Sequence, residues 1–287
     1  MVVLSGQLRA FLLSALLLIL SFPACASSEI FTDINGDSAP VPEKFCVSDK
    51  EDEQTVQKGL VILGEDGSEF VWVPMKEADF ENDSLSSKFF FDKTDSASFR
   101  AMKESVLKYG GFYMGRYETV RGEGDVPQSR KGSASQIWVH ISPQNMITVC
   151  GKLYSDNRSV TVFLPWGINW DRTLTWLVET GNKTQEEVAS DSSSWGNYSN
   201  NSFGSRAYSG SGAYEETKAN NIYDLAGNFW EWTQERTAAG SYAARSGGYG
   251  VMGTGCPGYR SPAAFRSGLP GNDHHPNIGF RLAMYLK

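Results

Sequence analysis

The tract from Asp191 to Gly212, "DSSSWGNYSNNSFGSRAYSGSG", constrains the fold more than any other part of the chain. It is rich in Ser, Asn and Gly, poor in aliphatic residues, and follows neither the period of a strand nor that of a helix. A tract of that length inside a domain is held by ions or by its own side chains, or it has a function of its own. A chain that must accommodate it is not a helical bundle. Composition agrees, since aromatics make up 13% of the residues and Gly numbers 29 of 287. Such a chain packs irregular structure around aromatic anchors. Its length suits one large domain or two smaller ones. The formal net charge of −7 and the lack of any Lys/Arg cluster argue against a nucleic-acid partner.

The N-terminus is of another kind. In "LRAFLLSALLLILSFPACASS" one Arg precedes an apolar run from Phe11 to Phe22 and then small residues. Residues 1–24 read as a secretory signal, so the mature chain is expected to be exported. Ala24-Cys25-Ala26 fits a small-x-small cleavage rule, which would free a chain beginning at Ser27. Phe22-Pro23-Ala24-Cys25 fits a loose lipobox, with Cys25 as the lipidated N-terminus. The polar stretch after the Cys favours lipidation, which tethers a protein to a membrane without spanning it. No second apolar run is long enough to cross a bilayer. The other cysteines, Cys46, Cys150 and Cys256, allow one bridge and a free thiol, or three free thiols. None stands at metal-ligand spacing, and His140, His274 and His275 form no H-x-x-x-H.

Residues 25–58, with Pro40, Pro42 and "SDKEDEQ", read as a tether or mobile arm, leaving 59–287 as the folded domain. "GLVILGEDGSEFVWVPM" reads as a hairpin around a Gly/Asp turn. "SASFRAMKESVLKYGG" predicts a helix capped by Ser96 or Ser98, buried through Phe99, Met102, Val106 and Leu107, and closed by Gly110. "GGFYMGRYETV" then predicts a strand ending on charged residues. Residues 121–135 read as a surface loop. After Pro165-Trp166-Gly167 a second helix is expected, capped by Asn169, buried through Trp170, Leu174, Leu177 and Val178, and ended by Gly181. "NIGFRLAMYLK" closes the chain as a core strand.

Taken in order, "FVWVPM", "GGFYMGRYE", "PWGINWD", "NIYDLAGNFWEWT", "RSGGY" and "IGFRLA" resemble the formylglycine-generating, or sulfatase-modifying, enzyme domains. The resemblance runs from about Gly59 to Lys287 and is most specific at Asn221–Thr233 and Asn277–Ala283. It implies an α+β fold of the C-type lectin-like, formylglycine-generating-enzyme type, loop-rich, with small mixed sheets and about two main helices. The enzymes carry a cysteine pair where "GGYGVMGTGCPGYR" has Val251 and Cys256. Valine neither ligates nor attacks, and a single thiolate cannot supply a paired soft-ligand site, so formylglycine-generating activity is not expected. The alternative is an enzyme of the same fold using Cys256 alone.

The chain also resembles variable proteins of diversity-generating retroelements, of the treponemal variable lipoprotein type, which end in a variable cassette closing on "IGFR". Mutagenesis of adenines in Asn-type codons cannot give Lys, Glu, Gln or Trp, and none of these occurs from Gly247 to Asn277. The resemblance therefore implies a bacterial surface protein, anchored by lipid, whose candidate variable region at 247–283 meets a protein or glycan ligand. The expected contacts are Tyr249, Val251, Tyr259, Ser261, Ala263, Phe265, Leu269, Asn272, Asp273, His274 and His275, carried on a scaffold of Trp72, Trp166, Trp170, Trp230 and Trp232. Aromatic and His side chains supply most of the energy in such a patch. The resemblance further implies a structural calcium in the turn before Trp230, on the Asp224 carboxylate and the backbones of Ala226, Gly227 and Phe229. No other cofactor is expected. Glu231, between two indoles, is expected to accept hydrogen bonds from backbone or Arg as a buried strut, not to act as an acid or base.

Overall fold

The computed structural model describes residues 28–82, 84–204, 207–250, 261–272 and 274–287. The signal segment and five site residues expected from the sequence (Cys25, Val251, Cys256, Tyr259 and Asp273) lie outside them. In chain order the strands begin with β1 (Glu29–Thr32), β2 (Ser38–Val41), β3 (Phe45–Val47), β4 (Val61–Gly64), β5 (Glu69–Pro74) and β6 (Phe90–Phe91). Helix α1 (Ala97–Tyr109) leads into β7 (Gly111–Glu118), β8 (Val120–Arg121), β9 (Pro127–Gln128) and α2 (Pro143–Cys150). Then come β10 (Val160–Phe163), α3 (Gly167–Glu179), α4 (Gln185–Ala189), β11 (Lys218–Ala219) and β12 (Ile222–Tyr223). Four longer strands follow: β13 (Trp230–Thr237), β14 (Tyr242–Arg245), β15 (Arg266–Leu269) and β16 (Ile278–Leu286).

A ten-stranded mixed sheet organises the molecule in the order β15-β14-β13-β16-β7-β5-β4-β3, with β10 added to β16 and β6 to β13. The closing strand β16 sits near its middle, antiparallel to β7 and parallel to β13. The full burial of β7 and near-full burial of β16 follow from that central place. Alternate residues feed two cores. Phe70, Trp72, Phe280 and Leu282 enter one, roofed by Met146, Val149 and Cys150 of α2. Val71, Val73, Phe112 and Met114 enter the other, roofed by α1 and α3.

Both long helices follow the sequence pattern. Ser96 caps α1 by accepting from the Phe99 N–H, and Gly110 ends it in the left-handed region with φ +82°. Phe99, Met102 and Val106 are buried, but Leu107 is 45% exposed, on the solvent side of the helix. In α3 the cap is corrected: the N-cap is Trp166, and Asn169 lies in the first turn, where its side chain accepts from the Trp166 N–H; Trp176 joins the buried stripe, while Val178 is only half-buried. The hairpin is β4–β5.

The expected tether is corrected from Ser28 onward. β1 pairs with β2, β3 pairs with β4 (Phe45 opposite Gly64), and Ala39, Val41, Phe45 and Val56 are core residues. Buried Glu53 accepts from Arg116 at 2.6 Å, tying the segment to β7. Cys46 is disulfide-bonded, so the alternative with a bridge holds. Cys150 is a free thiol, and burial pushes it well above the usual thiol range. Among the described residues no helix is long and apolar enough to cross a membrane.

Candidate ligand-binding face

Strand pairing explains the Trp-Glu-Trp motif. Glu231 lies opposite Gly279 in the parallel pair β13–β16, and Arg281 lies opposite Glu118 in β16–β7. Residues two apart on a strand share a face, so Arg281 sits diagonally from Glu231, within reach of its carboxylate. Its Nη2 donates to Glu231 Oε1 at 2.7 Å and its Nε to Oε2 at 3.1 Å, with both side chains fully buried. The remaining terminal nitrogen donates to the Gly115 carbonyl. Glu231 is the strut expected.

Two more buried carboxylates adjoin it. Glu118 accepts from the Phe229 N–H at 3.0 Å and from Asn228 Nδ2 at 2.5 Å. Asp224 Oδ2 accepts from the Gly212 N–H at 2.8 Å and the Ser211 hydroxyl at 3.0 Å. Burial, then the charges of Asp224 and Glu231, push Glu118 well up. Burial also raises Asp224 and takes Glu231 to about 7 despite Arg281.

The same turn fixes the long polar tract. Asn197 donates its N–H to the Ala226 carbonyl and accepts from the Asn228 N–H, while its side chain donates to Asn228 Oδ1. Gly227, with φ +74°, lies so close to Asn197 that a Cβ would stand 2.6 Å from the Asn197 carbonyl oxygen. Trp195 and Tyr198 anchor the tract apolarly, and Tyr198 donates to the Ser246 carbonyl. Its own side chains hold it.

Several of the oxygens expected to hold calcium already accept from protein donors. Calcium takes six to eight oxygens. Here the Ala226 carbonyl accepts from Asn197, that of Gly227 from Ser246, and that of Asp224 from Arg281. At this turn Asp224 Oδ1 and the neighbouring Asn197 Oδ1 are buried without a protein partner. Among the described residues no three His, Cys, Asp or Glu side chains group to hold a metal.

Above this core lies the expected display segment. Gly248 rests on the half-buried indole of Trp230, where a Cβ would come within 2.7 Å of Cδ1. Trp230 packs edge-on against Phe265 at 5.9 Å, and Tyr208 lies between Phe229 (4.7 Å) and Tyr249 (5.7 Å). Trp230 is therefore part of the surface patch, a correction to its place in the buried scaffold, whereas Trp72, Trp166, Trp170 and Trp232 are core. Phe265, Asn272 and His274 are exposed, and Tyr249, Leu269 and His275 half-buried. Ser261 and Ala263 are corrected as contacts. Both are buried: Ala263 has no exposed surface, its carbonyl accepts from Trp170 Nε1, and its N–H donates to Ser192.

Beyond Pro270 the chain docks on another segment. The His140 N–H donates to the His275 carbonyl at 3.0 Å, and His274 Nδ1 lies 3.2 Å from the His140 carbonyl oxygen. This contact forms one wall of a cleft of about 360 Å³ that also includes Arg121, Trp138 and Lys152. Sequence reading missed these three as site residues. They are ordinary surface types on separate segments, and only the fold brings them together. A second cavity, about 290 Å³, is lined by Phe80, Phe90, Asp92, Asp171, Glu235 and Arg266. There Arg266 and Arg245 each bind Asp171 and Glu235. Asp92 accepts from the Gly167 and Ile168 N–H groups, and burial with the nearby Glu235 charge pushes it up to about 7.

Residues 171–286 match the sulfatase-modifying factor enzyme 1-like domain. The match takes in α3 from Asp171 onward, the Trp-Glu-Trp strand, the segment expected to display ligand contacts and all of β16. Among solved structures the chain is similar to CarF, with 14% identity and a TM-score of 0.43 over 62% of this chain and 87% of that one. It is also similar to Treponema denticola variable protein 1, with 13% identity and a TM-score of 0.40 over 75% of this chain and 95% of that one. No curated protein matches the chain. The fold itself is the expected loop-rich α+β arrangement, built on one large mixed sheet with two long helices.

Proposed function

We propose that the chain is a non-enzymatic, ligand-binding surface protein whose C-terminal segment is a diversifiable face on a rigid sulfatase-modifying-factor-like domain. The reading includes a lipid anchor at Cys25. One observation carries it: exposed Phe265, Asn272 and His274 ride on a fully buried frame in which Glu231 and Arg281 lock β13 to β16. Ligand contacts made from a frame already ordered cost less on binding. The residue types from Gly247 to Asn277, without Lys, Glu, Gln or Trp, support the diversification. Val251 in place of the first cysteine of the enzymes argues against their chemistry.

The DNA beside the gene tests this reading. A near-copy of the 3′ end, differing at adenines and lying next to a reverse-transcriptase reading frame, is expected. A complete genome lacking both contradicts diversification. An enzyme working through Cys256 is the competing reading, and oxidation of a cysteine-bearing peptide by the purified protein, abolished in Cys256→Ser, would establish it.

A further inference from the structure

The cleft beside His274 has a chemistry unlike the rest of the molecule. The chain is acidic, with a formal net charge of −7, yet the cleft gathers Arg121, Lys152, His140 and His274 around a single lining carboxylate, Asp125. Arg121 lies over the Trp138 ring, 5.3 Å from its centroid, which restrains the guanidinium. It commits Nε to Asp125 Oδ1 at 2.7 Å, leaving the terminal N–H groups of the planar fork for another acceptor. Arg121 and Asp125 are both exposed, and a pair of that kind contributes little and exchanges partners readily. His140 holds its wall in a left-handed conformation, φ +57°, fixed by the contacts to His274 and His275. Non-glycine residues kept in that region cluster at ligand sites.

We propose that this cleft is an oxyanion site, in which the Arg121 fork and Lys152 hold a carboxylate or sulfate group of the ligand while His274 closes over it from the C-terminal segment. The inference rests on the reading of that segment as the binding face and gives the ligand a chemical class. Two segments share the work. The charged groups of β8 and the end of α2 lie outside the candidate variable region, so any variant of the segment inherits an anion anchor. The residue at position 274 adjusts what surrounds it.

The chain has only three His residues, so imidazole NMR gives a clean readout. Sodium sulfate and sodium acetate are titrated into the full mature protein at constant ionic strength, with chloride as the control. Saturable shifts at His140 and His274 are expected with sulfate, acetate or both, and the stronger of the two gives the group. Arg121→Gln and Lys152→Gln are each expected to weaken binding by about five-fold or more, as loss of a charge-assisted hydrogen bond does. His274→Gln should weaken it by less. Each variant's melting curve checks that it is folded. Shifts that do not saturate or that chloride reproduces, or affinity unchanged in both cation variants, overturn the inference and leave the display reading standing. Binding lost in Arg121→Gln and Lys152→Gln but untouched in His274→Gln overturns the part given to His274 in the site and leaves the display reading standing.

Discussion

At the scale of residues, among those described Arg281 is the guanidinium that contacts this cluster of three fully buried carboxylates, Glu118, Asp224 and Glu231. One cation cannot neutralise three anions, so the folded protein binds protons there more tightly than the unfolded chain does. Acids raised in the folded state give stability that is complete below their unfolded values and lost as pH climbs through the folded ones. With Glu231 and Asp92 both at about 7, the melting temperature should fall between pH 5 and pH 8. Asp92→Asn should flatten part of that slope. A melting temperature that rises across this range would show the carboxylates to be ionised and compensated. The two indoles of the motif give a second contrast. Trp232 is buried in the sheet core, and Trp232→Ala should cost about 3–5 kcal/mol in urea unfolding. Trp230→Ala, at a half-buried site against Phe265, should cost roughly half as much. Equal costs would return Trp230 to the core.

At the scale of elements, the sequence was most legible where local chemistry and long-range packing agree. α1 was readable from Ser96, Phe99, Met102 and Gly110 because cap, stripe and stop all lie within one helix. Glu231 was readable as a strut from its indole neighbours, though its partner came from a strand closing the chain fifty residues later. The first strands were not readable. β1, β2 and β3 are three or four residues long, carry Pro40 and Pro42 around them, and gain stability from distant partners, β3 by pairing with β4 and their apolar residues by packing on the α2 face of the sheet. Deleting residues 28–48 should therefore lower the melting temperature sharply, by exposing the surface that Val41 and Phe45 cover; an unchanged curve would restore the tether. The anion cleft was equally hidden, since Arg121, Lys152 and His140 have meaning only through the register that brings β8, α2 and His274 together. The turn from Asp224 to Phe229 was legible as a turn, but the carbonyls of Asp224, Ala226 and Gly227 accept from protein donors. A chelator should leave the melting curve unchanged, and a drop reversed by calcium would put the ion back.

At the scale of the whole molecule, the proposed function divides the chain between a buried sheet that holds the frame and an exposed segment that meets the ligand. The frame is β16 threaded between β7 and β13, with cores on both faces and the polar tract clamped beneath. The segment is the stretch from Phe265 to His275, exposed or half-buried where it is described, reaching from the Trp230 patch to the anion cleft. Equilibrium urea unfolding of the triple variant Phe265→Ser, Asn272→Ser, His274→Ser, read beside Trp232→Ala, tests that division most directly. The account predicts a loss of under about 2 kcal/mol for the triple variant, with an unchanged urea slope, because exposed substitutions cost about 0.5 kcal/mol each and Phe265 gives up only a half-covered ring. A triple variant that loses as much as Trp232→Ala, or that fails to fold, would contradict it.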